Sequence, residues 1–373
     1  MIRVMIVEDS SVCAEIIRHI LETDKDIKVV GIARNGKEAI ELVEKLKPDI
    51  ITMDIHMPEM NGLEATEYIM AYHPTPIIIV SSSIHDRDTH LAFEAISAGA
   101  LDVLEKPDPV IWEDFAKIGK ELISKVKFLS TVKVITHIKG RRKNRFLSSA
   151  DGSKIAVNSE VEALSARAIT SAGSQAIEIP GVVVIAASTG GPHALGKIIG
   201  SLPKNYSLPV IIGQHIAEGF LQGFVDWMAS ISKMPVEVVT DGQEIENSRI
   251  YICPVEKNTI VIEPGIFKLI DPRAEDIYRP SLDLLLSSVA GVFKMNTIGV
   301  ILTGMGSDGA KGIKRIYEVG GFTIAQDEKT STIFGMPRAA IELGCAREVL
   351  PVEEIGERLR ELGEKIAKLS TLD

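Results

Sequence analysis

Cysteine is scarce in this sequence. Cys13, Cys253 and Cys345 are its whole complement, far apart and odd in number. No CxxC pair is present, which excludes a disulfide framework and a thiolate metal site, so a reducing compartment is expected. Long apolar runs are also missing. The opening run Met1–Val7 is broken by Glu8 and Asp9, too soon for a signal peptide. No stretch approaches the roughly 18 apolar residues of a membrane helix. The expectation is a cytoplasmic protein with no direct membrane insertion. Positive charge is short too: 41 Lys and Arg stand against 51 Asp and Glu, a formal net charge of -10. Phosphate backbones need a basic surface, so nucleic acid is not an expected partner, and no compact helix-turn-helix is visible. What remains is ordinary for a globular chain, 45% hydrophobic and 25% charged. Its 373 residues predict two domains.

Residues 1–127 alternate short β-branched runs with amphipathic segments. Arg3–Val7, Lys28–Ala33, Ile50–Met53, Ile77–Val80 and Asp102–Leu104 read as buried strands, each followed by a helical pattern. Such β-α repetition predicts a doubly wound parallel sheet, with functional residues at the carboxyl ends of its strands. Residues 128–179 read as a linker. It holds the basic cluster Lys139–Arg145, then a Ser-, Ala- and Gly-rich stretch with room for a short helix at Val157–Ala168. A second α/β pattern fills 180–373. Its strands are Val182–Ala186, Pro209–Gly213, Val236–Val239, Ile250–Ile252, Thr297–Ile301 and Phe322–Gln326, with a hairpin from Thr259–Ile262 and Phe267–Ile270. The fold class is therefore α/β, in two doubly wound domains.

In the first half Glu8 and Asp9 follow the first strand and Asp54 follows the third. Neighbouring strand ends bring these carboxylates together, and like charges so placed need a cation. Hard oxygen ligands suit Mg²⁺. Ser81 ends the fourth strand and Lys106 follows the fifth, a hydroxyl and an ammonium that could meet a phosphorylated Asp54. Any one of these acids alone also fits a helix cap. Taken together, Glu8-Asp9, Met53-Asp54-Ile-His-Met-Pro58 with Gly62, Val80-Ser81-Ser82 and Lys106-Pro107 resemble the response-regulator receiver domain. The resemblance implies a flavodoxin-like fold, Asp54 as phospho-acceptor, Glu8, Asp9 and Asp54 as Mg²⁺ ligands, and Ser81 and Lys106 as phosphate contacts. His56 departs from the acidic residue often found two places after the acceptor.

In the second half the apolar run Val182–Ala187 ends in Ser188-Thr-Gly-Gly191 and a helix start. That places Ser188 on a sharp strand-to-helix turn, the logic of a nucleophile elbow, although Ala186 stands where G-x-S-x-G has its first glycine. A phosphate-binding loop is the rival reading, but the lysine of G-x-x-x-x-G-K-[ST] is absent. His215 follows the next strand and can serve as base. Asp308, in a glycine-rich turn after Thr297–Ile301, can orient it or can cap the helix beginning near Ala310. His193 opens a helix and reads as capping or surface. The order Ser, His, Asp differs from that of α/β-hydrolases, and a triad is defined by geometry and role.

Ala187-Ser-Thr-Gly-Gly191, Gln214-His215-Ile-Ala-Glu-Gly-Phe220, Pro280-Ser-Leu-Asp283, Leu302-Thr-Gly-Met-Gly306 with Asp308-Gly-Ala310, and Phe334-Gly-Met-Pro-Arg338 closely resemble the catalytic domain of CheB-type protein-glutamate methylesterases. This resemblance implies Ser188 as nucleophile, His215 as general base and acid, and Asp308 as its orienting partner. It implies the Met305 N–H as an oxyanion donor and Thr189 as a supporting neighbour. The implied substrates are glutamate methyl esters of methyl-accepting chemotaxis receptors, with glutamine deamidation beside them. The implied phosphoryl donor is a CheA-type histidine kinase, and the ester chemistry needs no cofactor. Cys253-Pro-Val-Glu-Lys-Asn258 departs from the Pro-Gly…His pattern common in the family. A receiver lying over the Ser188 cleft, partly inhibiting the unphosphorylated enzyme, is the expected regulation.

Overall fold

Runs of Val and Ile with no polar interruption suit strands buried on both faces, and parallel sheets are built from them. The computed structural model describes residues 1–82, 86–107, 112–134, 181–263, 265–273 and 278–369. Its first half runs β1 (Ile2–Val7), α1 (Ser11–Glu22), β2 (Ile27–Ala33), α2 (Gly36–Leu46), β3 (Ile50–Met53), α3 (Gly62–Tyr72), β4 (Ile77–Ser81), α4 (Asp86–Ser97), β5 (Asp102–Glu105) and α5 (Trp112–Leu129). The strands form one sheet in the order β2-β1-β3-β4-β5, with every pairing parallel. Helix starts are set locally: the Asn35 and Asn61 side chains accept the N–H groups of Glu38 and Glu64, and Glu64 completes a capping box.

The second half begins with β6 (Val182–Ala187), α6 (Gly191–Ser201), β7 (Val210–Gln214) and α7 (Leu221–Ile231). Then come β8 (Val236–Val238), β9 (Ile250–Ile252) and the antiparallel pair β10 (Asn258–Ile262) and β11 (Ile266–Ile270). It closes with α8 (Leu282–Phe293), β12 (Thr297–Ile301), α9 (Ala310–Glu318), β13 (Phe322–Gln326), α10 (Met336–Glu342), β14 (Glu348–Leu350) and α11 (Val352–Leu369). The large sheet runs β14-β13-β12-β6-β7-β9-β8, parallel throughout. Both sheets carry a point where strand order reverses. In the first it lies between β1 and β3, in the second between β12 and β6, and α/β proteins place their sites at such crevices. The expected fold class is therefore the observed one. The edge strand β14 is the element the sequence pattern did not announce. The basic cluster Lys139–Arg145 and the stretch Val157–Ala168 lie outside the described residues. No helix among the described residues is long and apolar enough to cross a membrane.

The halves share packing. α4 lies against α7, and Phe93 of α4 meets Phe220, Phe224 and Trp227 with ring centroids 6.4, 5.4 and 5.8 Å away. Gly223 makes this approach possible: a Cβ there would lie 2.5 Å from Thr89 Cβ and 2.8 Å from the Thr89 carbonyl carbon. One apolar core runs continuously from beneath β3 and β4 to beneath β6 and β7.

Candidate functional site

β6 and β7 pair in parallel with Ala187 opposite Gln214, so Ser188 and His215 leave adjacent strand ends side by side. The His215 N–H donates to the Ala187 carbonyl at 3.1 Å. Buried Gln214 ties the two turns together, its Nε2 donating to the Ser188 carbonyl at 2.9 Å and to the His215 carbonyl at 2.8 Å. Gly190 takes a left-handed conformation, φ 77°, where a side chain would also strike Thr332. From the other side the loop after β12 closes in. A Cβ on Gly304 would sit 2.7 Å from that of Ser188. Glycine there lets the Gly304-Met305-Gly306 loop lie directly against the serine.

Asp308 comes from the same loop. Its Oδ2 lies 3.0 Å from His215 Nε2 and accepts the Leu282 N–H at 2.9 Å. Its Oδ1 accepts the N–H groups of Asp283 at 3.0 Å and Gly309 at 3.1 Å. Leu282 and Asp283 open α8, so the carboxylate sits on unpaired N–H groups at a helix N-terminus, where negative charge is favoured. Burial pushes the Asp308 pKa up, but the hydrogen bonds from His215, Leu282 and Asp283 prevail and hold it below the usual carboxylate range. Asp308 thus supports the start of α8, whose N-cap is Ser281, and is not the N-cap of the α9 that follows it, which is Gly309. The Pro280 carbonyl also lies 3.0 Å from His215 Nε2. Two acceptors converge on that nitrogen, so it carries the proton and Nδ1 keeps the lone pair.

Thr189 is buried, and its carbonyl accepts the Thr303 hydroxyl at 3.0 Å. Met305 is exposed, and among the described residues its N–H meets no backbone acceptor. No hydrogen bond joins Ser188 Oγ to His215, a gap common in catalytic groups without substrate. His193 is the third residue of α6.

At the reversal of the first sheet, Glu8, Asp9 and Asp54 offer carboxylate oxygens within 4.8 Å of one another. Lys106 Nζ lies 2.8 Å from Glu8 and 2.9 Å from Asp54. Burial, and then the neighbouring Asp54, raise the Glu8 pKa to about 7. Burial raises that of Asp54 as well, with Lys106 opposing it. Burial also works against the Lys106 ammonium, but the two carboxylates outweigh it and raise its pKa. Ser81 is buried, and among the described residues its hydroxyl has no hydrogen-bond partner. An excess of buried carboxylate and a spare donor fit a hard divalent cation and a phosphoryl group.

The sequence pattern located the side chains Ser188, His215 and Asp308. It did not reveal Gln214 as a clamp, Pro280 as an acceptor or α8 as the support of Asp308. Backbone carbonyls and N–H groups carry no residue signature, and only the run Pro280-Ser-Leu-Asp283 pointed at that place.

Two parallel α/β domains, one with an acidic strand-end pocket and one with a serine, a histidine and an aspartate at neighbouring strand ends, define the class: a receiver-linked α/β hydrolase. A family model described as CheB methylesterase matches residues 183–359, and one described as response regulator receiver domain matches residues 4–110. The chain is 39% identical over 362 residues to a protein-glutamate methylesterase/protein-glutamine glutaminase of Nitrosospira multiformis, covering 97% of each chain. It is 40% identical over 367 residues to such a protein of Syntrophus aciditrophicus, covering 98% of this chain and 100% of that one. A crystal structure of the Thermotoga maritima CheB methylesterase catalytic domain aligns at 39% identity and TM-score 0.48, covering 49% of this chain and 98% of that one. The chain belongs to the family of CheB-type protein-glutamate methylesterases with a receiver domain.

Proposed function

We propose that this chain is a phosphorylation-regulated hydrolase that removes methyl esters from glutamate side chains of chemotaxis receptors and deamidates receptor glutamines. The observation that carries the reading is His215, held through Nε2 by Asp308 one strand away from Ser188. Ser188 Oγ loses its proton to Nδ1 of His215 and attacks the ester carbonyl carbon, forming a tetrahedral oxyanion that the Met305 N–H receives. Ionised Asp308 steadies the imidazolium. The intermediate collapses, the C–O bond to methoxide breaks, and Nδ1–H protonates the leaving group as methanol. Water then gives a proton to Nδ1, attacks the glutamyl ester of Ser188, and releases the carboxylate and the free serine. With glutamine the leaving group is ammonia. Thr189 supports the turn through its carbonyl bond to Thr303.

Glu8, Asp9 and Asp54 would hold Mg²⁺, which supplies charge neutralisation while Asp54 is phosphorylated. Ser81 and Lys106 receive the phosphoryl oxygens, and a CheA-type histidine kinase is the donor. All of this takes place in the cytoplasm. Regulation is steric in this reading. Ser124 of α5 places its hydroxyl 3.6 Å from the Met305 sulfur, so the receiver stands at the edge of the oxyanion loop. Methanol release from methylated receptor, with and without an acyl-phosphate donor and Mg²⁺, tests the whole reading. Ser188→Ala should lower kcat by about four orders of magnitude or more in a folded protein. Near-normal turnover in that variant would remove Ser188 from the mechanism.

A further inference from the structure

His215 is enclosed by one short segment, Tyr278–Asp283. Pro280 gives its carbonyl to Nε2, and Leu282 and Asp283 give their N–H groups to the Asp308 carboxylate behind it. Tyr278 covers the face of the imidazole: the two rings are stacked, with centroids 5.5 Å apart and planes 8° from parallel. The other end of the same side chain reaches the oxyanion loop. A Cβ on Gly306 would lie 2.6 Å from the Tyr278 hydroxyl oxygen, and Gly306 is left-handed with φ 83°. One side chain therefore touches both the group that shuttles the proton and the residue after Met305.

We propose that Tyr278 is a positioning residue for the ester hydrolysis, fixing the plane of His215 with its ring and the Gly306 end of the oxyanion loop with its hydroxyl. The inference rests on the hydrolase reading above. Two hydrogen bonds at one nitrogen fix where Nε2 points but leave the imidazole free to rock about that contact. A parallel ring on one face removes that freedom, so the Nδ1 lone pair keeps its aim at the serine. The ring also offers its π face to the imidazolium that forms when Nδ1 takes the proton, at a separation within the range of cation–π attraction. Among the described residues Asp308 and Tyr278 are the titratable groups seen against the imidazole, and the carboxylate acts at Nε2 while the ring acts on the face. The ring and hydroxyl roles separate chemically, because Phe retains the first and removes the second.

The test uses the full chain with Tyr278→Leu and Tyr278→Phe. One readout is the NMR linewidth of the His215 ring protons, assigned by the signals missing from His215→Gln. The other is kcat and KM for methylated receptor. Tyr278→Leu should lower kcat by about tenfold with KM within about twofold, as expected for loss of an interaction realised in the transition state. Its His215 ring signals should broaden, since the imidazole is no longer held on its face. Tyr278→Phe should keep the wild-type linewidth and lose roughly threefold or less in kcat, as for one neutral hydroxyl contact. A Tyr278→Leu protein with wild-type linewidth and wild-type kcat overturns the proposal, as does a loss confined to KM. Should Tyr278→Leu fail to fold, Tyr278→Met takes its place under the same criteria. A wild-type chain that releases no methanol would refute the hydrolase reading, and the His215 signals alone would then decide whether the ring holds the imidazole.

Discussion

Asp308 and Glu8 are both buried carboxylates, and their surroundings push them in opposite directions. The signs matter for pH. Asp308 is held below its ordinary range, so the stability it contributes is complete above the unfolded carboxylate value and is lost as pH falls through the lower folded one. Glu8 is raised from 4.5 to about 7, so its contribution is complete below 4.5 and drains away as pH rises through 7. Above that point the pocket carries an uncompensated buried charge. Mg²⁺ at Glu8, Asp9 and Asp54 would relieve it, so thermal stabilisation by Mg²⁺ should grow between pH 6 and pH 8. A gain of about 2–4 °C across that range is a reasonable size for a chain this long. A melting temperature indifferent to Mg²⁺ at pH 8, or a gain equally large at pH 6, would count against the pocket as a cation site. At this scale the sequence showed which side chains the strand ends would gather, Asp308 against His215 beside Ser188, and Asp54 with Glu8 and Asp9. It was silent on Gln214 and Tyr278, whose work is to hold others, and on the Pro280 carbonyl.

Whole elements were legible for a related reason. The run VVVIAA of β6 is buried at every position, and a strand buried on both faces can be little else in a chain of β-α repeats. β14 escaped because it is a three-residue edge strand with no fully buried position, so it has neither the apolar run nor the alternation that marks a strand. The pairing of α4 with α7 was hidden differently. Nothing in the spacing of Phe224 and Trp227 says that the receiver's Phe93 packs against them. Gly223 is the sensitive point of that contact. Even a methyl group there would press on the Thr89 backbone, which cannot be moved by a rotamer change alone. Gly223→Val should therefore force α4 away from α7. The unphosphorylated variant should hydrolyse receptor esters about fivefold faster or more, the low end of ordinary coupling between sites, and respond little to a phosphoryl donor. A variant that folds and keeps both low basal turnover and full activation would mean that this helix contact does not restrain the enzyme.

Across the whole molecule the two sheets are joined by one apolar core, with the contact of Ser124 and Met305 beside it. Such a chain should melt as a unit. Calorimetry of the unphosphorylated protein should give one transition, and a phosphoryl donor with Mg²⁺ should split it into two as α4 lets go. Two well-separated transitions before phosphorylation would contradict a core shared in the resting state. The joint between the two halves was not legible in the sequence, because apolar residues look alike whichever core they enter. The ring cluster at that joint has a consequence for exchange of parts. Phe93 is received by Phe220, Phe224 and Trp227 as a single shape. A transplanted receiver with a smaller residue at that position would leave the hydrolase with an unfilled aromatic socket. In this chain the receiver is thus matched to its hydrolase, and a chimera keeps the joint only if the key travels with the lock.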